Sequence, residues 1–334
     1  MAELTQFIIH CLSTYYLIEV TALALLSLGA DPNASIYKAQ ASDQKTYFVK
    51  LKQNHFHDIN IAVLELLQMA GIQQLIPPIK TVEGKQIQQM NDFSLIVYPF
   101  VEGQDGFSCP LADEQWITLD QALKKVHEIE VPTSLKTRIR REDFSSKWRN
   151  AVQSLYTHVE GVTIDDEIAL NLWKFLQENK SIIQQLVDRS EQLSQKACSR
   201  PLEFVLCHSD IHGGNVLIDS TKALSIVDWD DPIMAPKERD LMFIGGGVGN
   251  VWNKPYEEKL FYQGYGHTDV DWTLLAYYRY ERIIEDIAVY AQELLLKPMQ
   301  DSNRLEMYQQ FMSMFEPHGV VEIAFATDKQ HVVE

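Results

Sequence analysis

Apolar residues recur at helical spacing from Leu4 to Leu17, with Phe7, Ile8, Cys11 and Leu12 on one side, and predict an amphipathic helix. Val20–Leu28 then forms the most apolar stretch of the chain, and turn residues fill Gly29–Asn33. On either side of Ala41–Lys45, the runs Ser35–Gln40 and Thr46–Lys52 read as an antiparallel hairpin. Helical spacing returns over Asp58–Ala70 and stops near Gly71. Pro77 and Pro78 precede a further extended segment. Ser94–Tyr98 is a strongly apolar strand that stops at Pro99, and Gly103–Gly106 reads as a loop.

Beyond that loop the period is helical. Glu114–Ile129 places Trp116, Leu119, Leu123 and Val126 on one face. Glu167–Leu193 reads as one long helix carrying Leu172, Phe175, Leu176, Ile183 and Leu186. Trp272–Leu296 is the longest periodic segment, and the last ten residues, Phe325–Glu334, turn polar and are expected to fray. The pattern is α+β. A small β-rich lobe over residues 1–102 precedes a larger, mostly helical lobe over 103–334, which is a protein-kinase-like two-lobe layout.

The 334 residues are 46% hydrophobic and 22% charged, a globular balance with room for a large core. No run reaches the roughly 18–20 apolar residues that span a bilayer, and the N-terminus lacks a signal-peptide pattern. Cys11, Cys109, Cys198 and Cys207 are scattered without metal or disulfide spacing, which fits a reducing cytoplasm. The net charge of −17 argues against a nucleic-acid partner, whose phosphates require a basic face. It accommodates a cationic ligand, although much of it reads as surface solubility. Neither a protein nor a membrane partner is indicated.

Chemistry is concentrated in His208-Ser-Asp210-Ile-His-Gly-Gly-Asn215, followed eleven residues later by Ile226-Val-Asp228-Trp-Asp230. Asp210, Asn215 and Asp228 lie on turns beside apolar runs. Such a set suits magnesium-dependent phosphoryl transfer from ATP: one carboxylate orients the attacking hydroxyl, while an amide and a second carboxylate hold Mg²⁺. Asp210 alone would equally cap the Gly213-Gly214 turn, and its company with Asn215 and Asp228 favours chemistry. His208 reads as a loop support, His212 is given no role, and Asp230 reads as a surface carboxylate, with assistance at the metal edge as the alternative.

These motifs, in this order, resemble the aminoglycoside phosphotransferase family, within a wider group of kinase-like small-molecule phosphotransferases that includes choline kinases. The stretches Ala235–Trp252 and Val321–Thr327 look closest to the spectinomycin phosphotransferases. The resemblance implies that Asp240 braces the catalytic loop, with an ordinary pairing to Arg239 as the alternative. It implies that Lys50, in Tyr47-Phe-Val-Lys50, pairs with the nucleotide phosphates; Lys52 shares its strand face. Gly29–Ser35 takes the place of the phosphate-covering loop, where Asn33 and Ser35 supply donors. Tyr98–Gly103 takes the place of the hinge, where the Pro99 carbonyl and the Val101 N–H meet adenine. The family's helix glutamate, partner of that lysine, has no counterpart near Asn60. Asn60 itself or Asp58 is left to substitute.

Only twelve residues separate Asp228 from Asp240, too few for a protein-substrate platform, so a small acceptor is expected. Glu281, Glu285 and Asp286 on one helix would suit a cationic aminocyclitol such as spectinomycin, unless Arg282 pairs with Glu285 or Asp286 instead. Trp252, Tyr277, Tyr278 and Tyr280 either line that pocket or pack the core. The competing readings are a choline, sugar or amino-alcohol kinase of the same fold and an inactive kinase-like binding protein.

Overall fold

The computed structural model describes residues 2–26, 33–53, 58–90, 92–159, 166–297 and 303–330. The chain opens with α1 (Ala2–Tyr16), β1 (Val20–Leu26), β2 (Ala34–Ala41), β3 (Thr46–Gln53), α2 (Ile59–Met69), β4 (Gln88–Met90), β5 (Phe93–Pro99) and β6 (Gly103–Asp105). It continues through α3 (Asp113–Glu128), α4 (Thr133–Lys136), β7 (Arg140–Arg141), α5 (Lys147–Val159), α6 (Glu167–Glu178) and α7 (Lys180–Cys198). Four short strands follow: β8 (Val205–Cys207), β9 (Val216–Asp219), β10 (Leu224–Ile226) and β11 (Ile233–Ala235). The remainder is helical, with α8 (Glu238–Leu241), α9 (Pro255–Tyr265), α10 (Trp272–Ala291), α11 (Arg304–Ser313) and α12 (Val320–Gln330). The chain divides into two compact units. One comprises Met1–Asp105, Val131–Ile139 and Val216–Asp231; the other comprises Gly106–Glu130, Arg140–Asn215 and Pro232–Glu334.

In the first unit, five strands pair antiparallel in the order β1-β2-β3-β5-β4. The expected hairpin is β2–β3, with Lys50 opposite Ile36. The apolar run from Val20 supplies the edge strand β1, for which the sequence reading had no element. Val49 and Leu51 of β3 join Leu95 and Val97 of β5 and Ile8, Cys11 and Leu12 of α1 in one core. Side chains alternate along a strand, so this packing turns Lys50 and Lys52 to the opposite face. A one-residue slip of β3 would drive both ammonium groups into the core, and the register is fixed accordingly.

The loop expected over Gly103–Gly106 is a strand in its first three residues. β6 pairs with β9, which pairs with β10. The sequence cue was misleading because Gly103 is there for close approach: a Cβ at this position would lie 2.1 Å from the Ile218 carbonyl oxygen. The turn expected over 29–32 lies outside the described residues.

The second unit is built around α10. Its buried residues run almost continuously from Thr273 to Ala291, as expected of a helix covered on most sides, and α5, α7 and α12 pack on it. The span Glu167–Leu193 is two helices. Asn179 ends α6 by donating its side-chain amide to the Phe175 carbonyl, at 2.9 Å, and α7 starts at the next residue. Asparagine competes for backbone groups in this way wherever it interrupts a helical run. The expected Trp272–Leu296 helix is α-helical to Ala291 and continues as a wider π-turn over Gln292–Leu296. The tail expected to fray from Phe325 stays helical to Gln330 because Ala324 and Thr327 are buried; residues 331–334 lie outside the described residues. No described helix is long and apolar enough to cross a membrane.

A test of this arrangement is Gly103→Ala, which places a methyl against immovable backbone. It is expected to cost about 1–3 kcal/mol, the usual range for overpacking, read by denaturant unfolding; an unchanged midpoint would contradict the close β6–β9 pairing.

Candidate active site

Within the helical unit, the loop between β8 and the Gly213–Asn215 turn is shaped by one carboxylate. Asp240 is fully buried and accepts the backbone N–H of His208 at 2.8 Å and of Ser209 at 2.7 Å. His127 Nε2 lies 3.0 Å from the same carboxylate, and its Nδ1 lies 2.7 Å from the Tyr265 hydroxyl. Burial pushes the Asp240 carboxyl up, but the hydrogen bond and charge of His127, with His208, outweigh it and hold it below its usual value. Asp240 therefore fixes the backbone of this loop through two N–H groups. Ser209 adopts a left-handed backbone, φ +76°, a conformation held only where surrounding contacts determine it.

That brace delivers Asp210. Its N–H donates to His208 Nδ1 at 3.3 Å, and its carbonyl accepts from Asn215 Nδ2 at 2.8 Å. The carboxylate is 42% exposed, with a basic side chain near each oxygen. Arg282 Nη1 donates to Oδ1 at 2.6 Å, and His212 Nε2 stands 3.4 Å from Oδ2. Burial would raise this carboxyl, yet the Arg282 guanidinium and the His212 ring hold it well below the usual carboxylate range. His212 is itself stacked on Phe107, with ring centroids 5.3 Å apart. Arg282 Nε donates to Asp286 Oδ1 at 3.0 Å.

His212 and Arg282 are thus members of the site that sequence reasoning missed. The spacing of Arg282 and Asp286 was visible; the bond to Asp210, 72 residues away, left no local signal. Asp286 and Glu285 are half-buried near this guanidinium, and burial pushes the Asp286 carboxyl up to about 6. Glu281, expected beside them, is turned into the interior, where it accepts from buried Arg149 and from Ser190. A buried guanidinium needs carboxylate partners, and Glu281 serves as one beside Glu191. Trp252, Tyr277, Tyr278 and Tyr280 are all core residues.

Within the sheet-bearing unit, Lys50 Nζ bridges two carboxylates, Asp228 Oδ1 at 3.2 Å and Asp230 Oδ2 at 2.6 Å. Burial would pull this ammonium down, but Asp228 and Asp230 outweigh it and hold it above its ordinary value. Lys52 Nζ lies 3.7 Å from the same Asp230 oxygen. Asp230 is therefore no surface carboxylate: its side chain is only 19% exposed, and Asn60 Nδ2 donates to its backbone carbonyl. Asp230 is thus a carboxylate partner of Lys50, and Asn60 holds its backbone. Asp58 is bound elsewhere, to Arg138 at 2.5 Å. Asp228 has a left-handed φ of +61° and is 49% exposed.

The remaining predicted positions fall on the same unit. Ser35 lies on β2 opposite Leu51, and the Asn33 carbonyl accepts from Gln53 N at 2.8 Å. Pro99 ends β5 opposite Tyr47 and is exposed, and Val101 follows it. A test of the expected metal ligands is offered by Asn215. Its amide nitrogen is spent on the Asp210 carbonyl, which leaves its oxygen as the atom to meet a cation. That amide oxygen is a hard donor of the kind magnesium takes, and so, in the sheet-bearing unit, is the half-exposed Asp228 carboxylate.

The chain is similar to proteins of solved structure over nearly its whole length. The chain is 46% identical to spectinomycin phosphotransferase, APH(9)-Ia, in its crystal structure with ADP and spectinomycin; that match covers 97% of this chain and 98% of that one, with a TM-score of 0.90. An AMP-bound structure of APH(9)-Ia matches at 45% identity over the same shares, with a TM-score of 0.87. Protein StrN of Streptomyces griseus is 26% identical over 179 residues; the match spans 52% of this chain and just over half, 56%, of that curated relative. The phosphotransferase enzyme family (APH) matches residues 27–273. This chain therefore has the kinase-like fold and belongs to the phosphotransferase enzyme family, enzymes that transfer phosphate to a hydroxyl acceptor.

Proposed function

We propose that this protein transfers the γ-phosphoryl group of ATP, with Mg²⁺, to a hydroxyl of a small cationic aminocyclitol antibiotic, with spectinomycin as the acceptor of first choice. The observation that carries the chemistry is the braced, half-exposed Asp210 carboxylate, with Arg282 on one oxygen and His212 beside the other. A carboxylate held this strongly in its charged form is a weak base. Its work is to orient the acceptor hydroxyl and take its proton late, which is what a loose phosphoryl transition state requires.

Under this reading, residues 1–102 bind the nucleotide, and residues 103–334 carry catalysis and the acceptor. Lys50, aided by Lys52, holds the α- and β-phosphates, while Asn33 and Ser35 donate to the β-phosphate. The Pro99 carbonyl and Val101 N–H meet the adenine edge. Asn215 and Asp228 would be the ligands of Mg²⁺, which when bound neutralises charge on the phosphates. Glu285 and Asp286 attract the cationic acceptor: with Asp210 they are three carboxylates around the single guanidinium of Arg282. The naming of spectinomycin is supported by the likeness to APH(9)-Ia, whose crystal structure holds that compound and ADP. A site of action in the cytoplasm, where ATP is plentiful, accords with this.

Magnesium-dependent ADP release, measured with spectinomycin, other aminoglycosides, choline, ethanolamine and sugars, is expected to be fastest with spectinomycin. Turnover on choline or an amino alcohol alone would instead identify a metabolic kinase. Nucleotide binding without turnover on any acceptor would identify an inactive binding protein.

Two substitutions separate the roles. Asp210→Asn is expected to abolish transfer and leave ADP affinity as it was. Lys50→Met is expected to weaken ADP binding about tenfold or more, in line with the roughly 1.5–3 kcal/mol of a hydrogen bond to a charged group. Calorimetric titration reads both, and equal ADP affinities for Lys50→Met and the parent would contradict the phosphate role.

A further inference from the structure

We infer that Arg282 is a positioning residue for phosphoryl transfer: it clamps Oδ1 of Asp210 against α10 so that Oδ2 is the oxygen presented to the acceptor hydroxyl. The inference rests on the role proposed for Asp210 and goes beyond it by dividing labour between the two carboxylate oxygens.

The geometry leads to this assignment. The Asp210 backbone is pinned at both ends, by His208 Nδ1 on its N–H and by Asn215 on its carbonyl, but those contacts leave its side-chain torsions free. The guanidinium removes that freedom. It is planar, and it spends Nη1 on Asp210 at 2.6 Å and Nε on Asp286 at 3.0 Å. A planar fork gripping two carboxylates resists rotation in a way that a single ammonium does not. Its base is rigid, since Ile283 and Ile284 beside it are buried in the central helix of the unit. Asp286 lies one turn along the same helix and holds the fork from behind.

The two Asp210 oxygens are thereby made unequal. Oδ1 carries the strong, charge-assisted bond at 2.6 Å. Oδ2 has the His212 ring at 3.4 Å, outside a short hydrogen bond, and that ring is fixed by stacking on Phe107 and by accepting the Gly214 N–H at Nδ1. A hydroxyl donated to Oδ2 would therefore meet a carboxylate whose plane is set by Arg282 and whose second oxygen is already taken. A pair with no functional part, a charged arginine neutralised near the surface, would not need to grip this particular carboxylate. Misplacing a reacting group by about 1 Å can cost on the order of 100-fold in rate, and that scale sets the expectation for losing the clamp.

The test measures steady-state transfer and ADP affinity for Arg282→Met, Arg282→Lys, Arg282→Ala and Asp286→Asn in the full-length protein. Arg282→Met is expected to lower kcat about 10–100-fold with the KM for ATP and the ADP affinity unchanged. Arg282→Lys should fall between it and the parent, because it restores the charge without the fork. Added guanidinium ion should recover part of the kcat of Arg282→Ala and leave the parent unaffected, a rescue that a merely structural role would not give. Asp286→Asn loosens the clamp without emptying its place, so it should lower kcat less and in the same direction; it also serves if the arginine variants fail to fold. Turnover by the parent with kcat unchanged in Arg282→Met, or with unchanged kcat in Asp286→Asn if the former does not fold, would overturn the clamp alone. A parent protein that binds ADP but neither phosphorylates any acceptor nor hydrolyses ATP would overturn the reading of Asp210, and the clamp with it.

Discussion

The loop that carries Asp210 depends on a buried charge that is never left alone. Asp240 sits out of reach of solvent, and an isolated carboxylate there would be costly enough to protonate instead. Two backbone N–H groups, from His208 and Ser209, and the His127 ring make it tolerable. The same contacts dictate the path of the chain. With both N–H groups pointed at one carboxylate, Ser209 takes a left-handed turn and the next residue, Asp210, is brought to a half-exposed position. Desolvation, backbone conformation and the placement of the Asp210 carboxylate are therefore one problem with one solution.

Both units handle their charges by a common device, a cation shared between carboxylates. In the helical unit Arg282 is held by Asp210 and Asp286; in the sheet-bearing unit Lys50 is held by Asp228 and Asp230. Sharing offsets part of the cost of partial burial, which still pushes the Asp230 and Asp286 carboxyls up. It also leaves the group with surplus negative charge, one unit around Lys50 if Lys52 is left aside and two around Arg282 if Glu285 is counted. A protein with a net charge of −17 has little difficulty sustaining such groups, and the proposed cationic acceptor would gain from them.

Much of this was legible in the amino-acid sequence, for reasons that differ from residue to residue. The β2–β3 hairpin and the facing of Lys50 follow from period-two alternation, which is local and strong. Asp210, Asn215 and Asp228 stood out because the chemistry proposed for them needs particular side chains at short spacings. Asp240 was visible only through the family resemblance, since the residues it binds lie 31 and 32 positions before it. Asp230 was misread. A carboxylate on a polar turn looks like surface until β3 is paired and Lys50 is found opposite it, and nothing local reports that. Arg282 was seen as a helix neighbour of Asp286, which it is, but its second bond is a tertiary contact. Gly103 was read as loop punctuation when its function is to admit the Ile218 carbonyl. The errors share one cause: each concerned a partner supplied by a distant element.

The account turns on whether Asp210 serves transfer to a carbon-bound hydroxyl. Phosphorus NMR of a reaction containing ATP, magnesium ion and spectinomycin tests this most directly, because it identifies the product itself. The expected result is a new phosphomonoester resonance that grows in step with ADP and splits through coupling to a single carbinol proton. Inorganic phosphate as the sole product beside ADP, or an unchanged ATP spectrum, would contradict it.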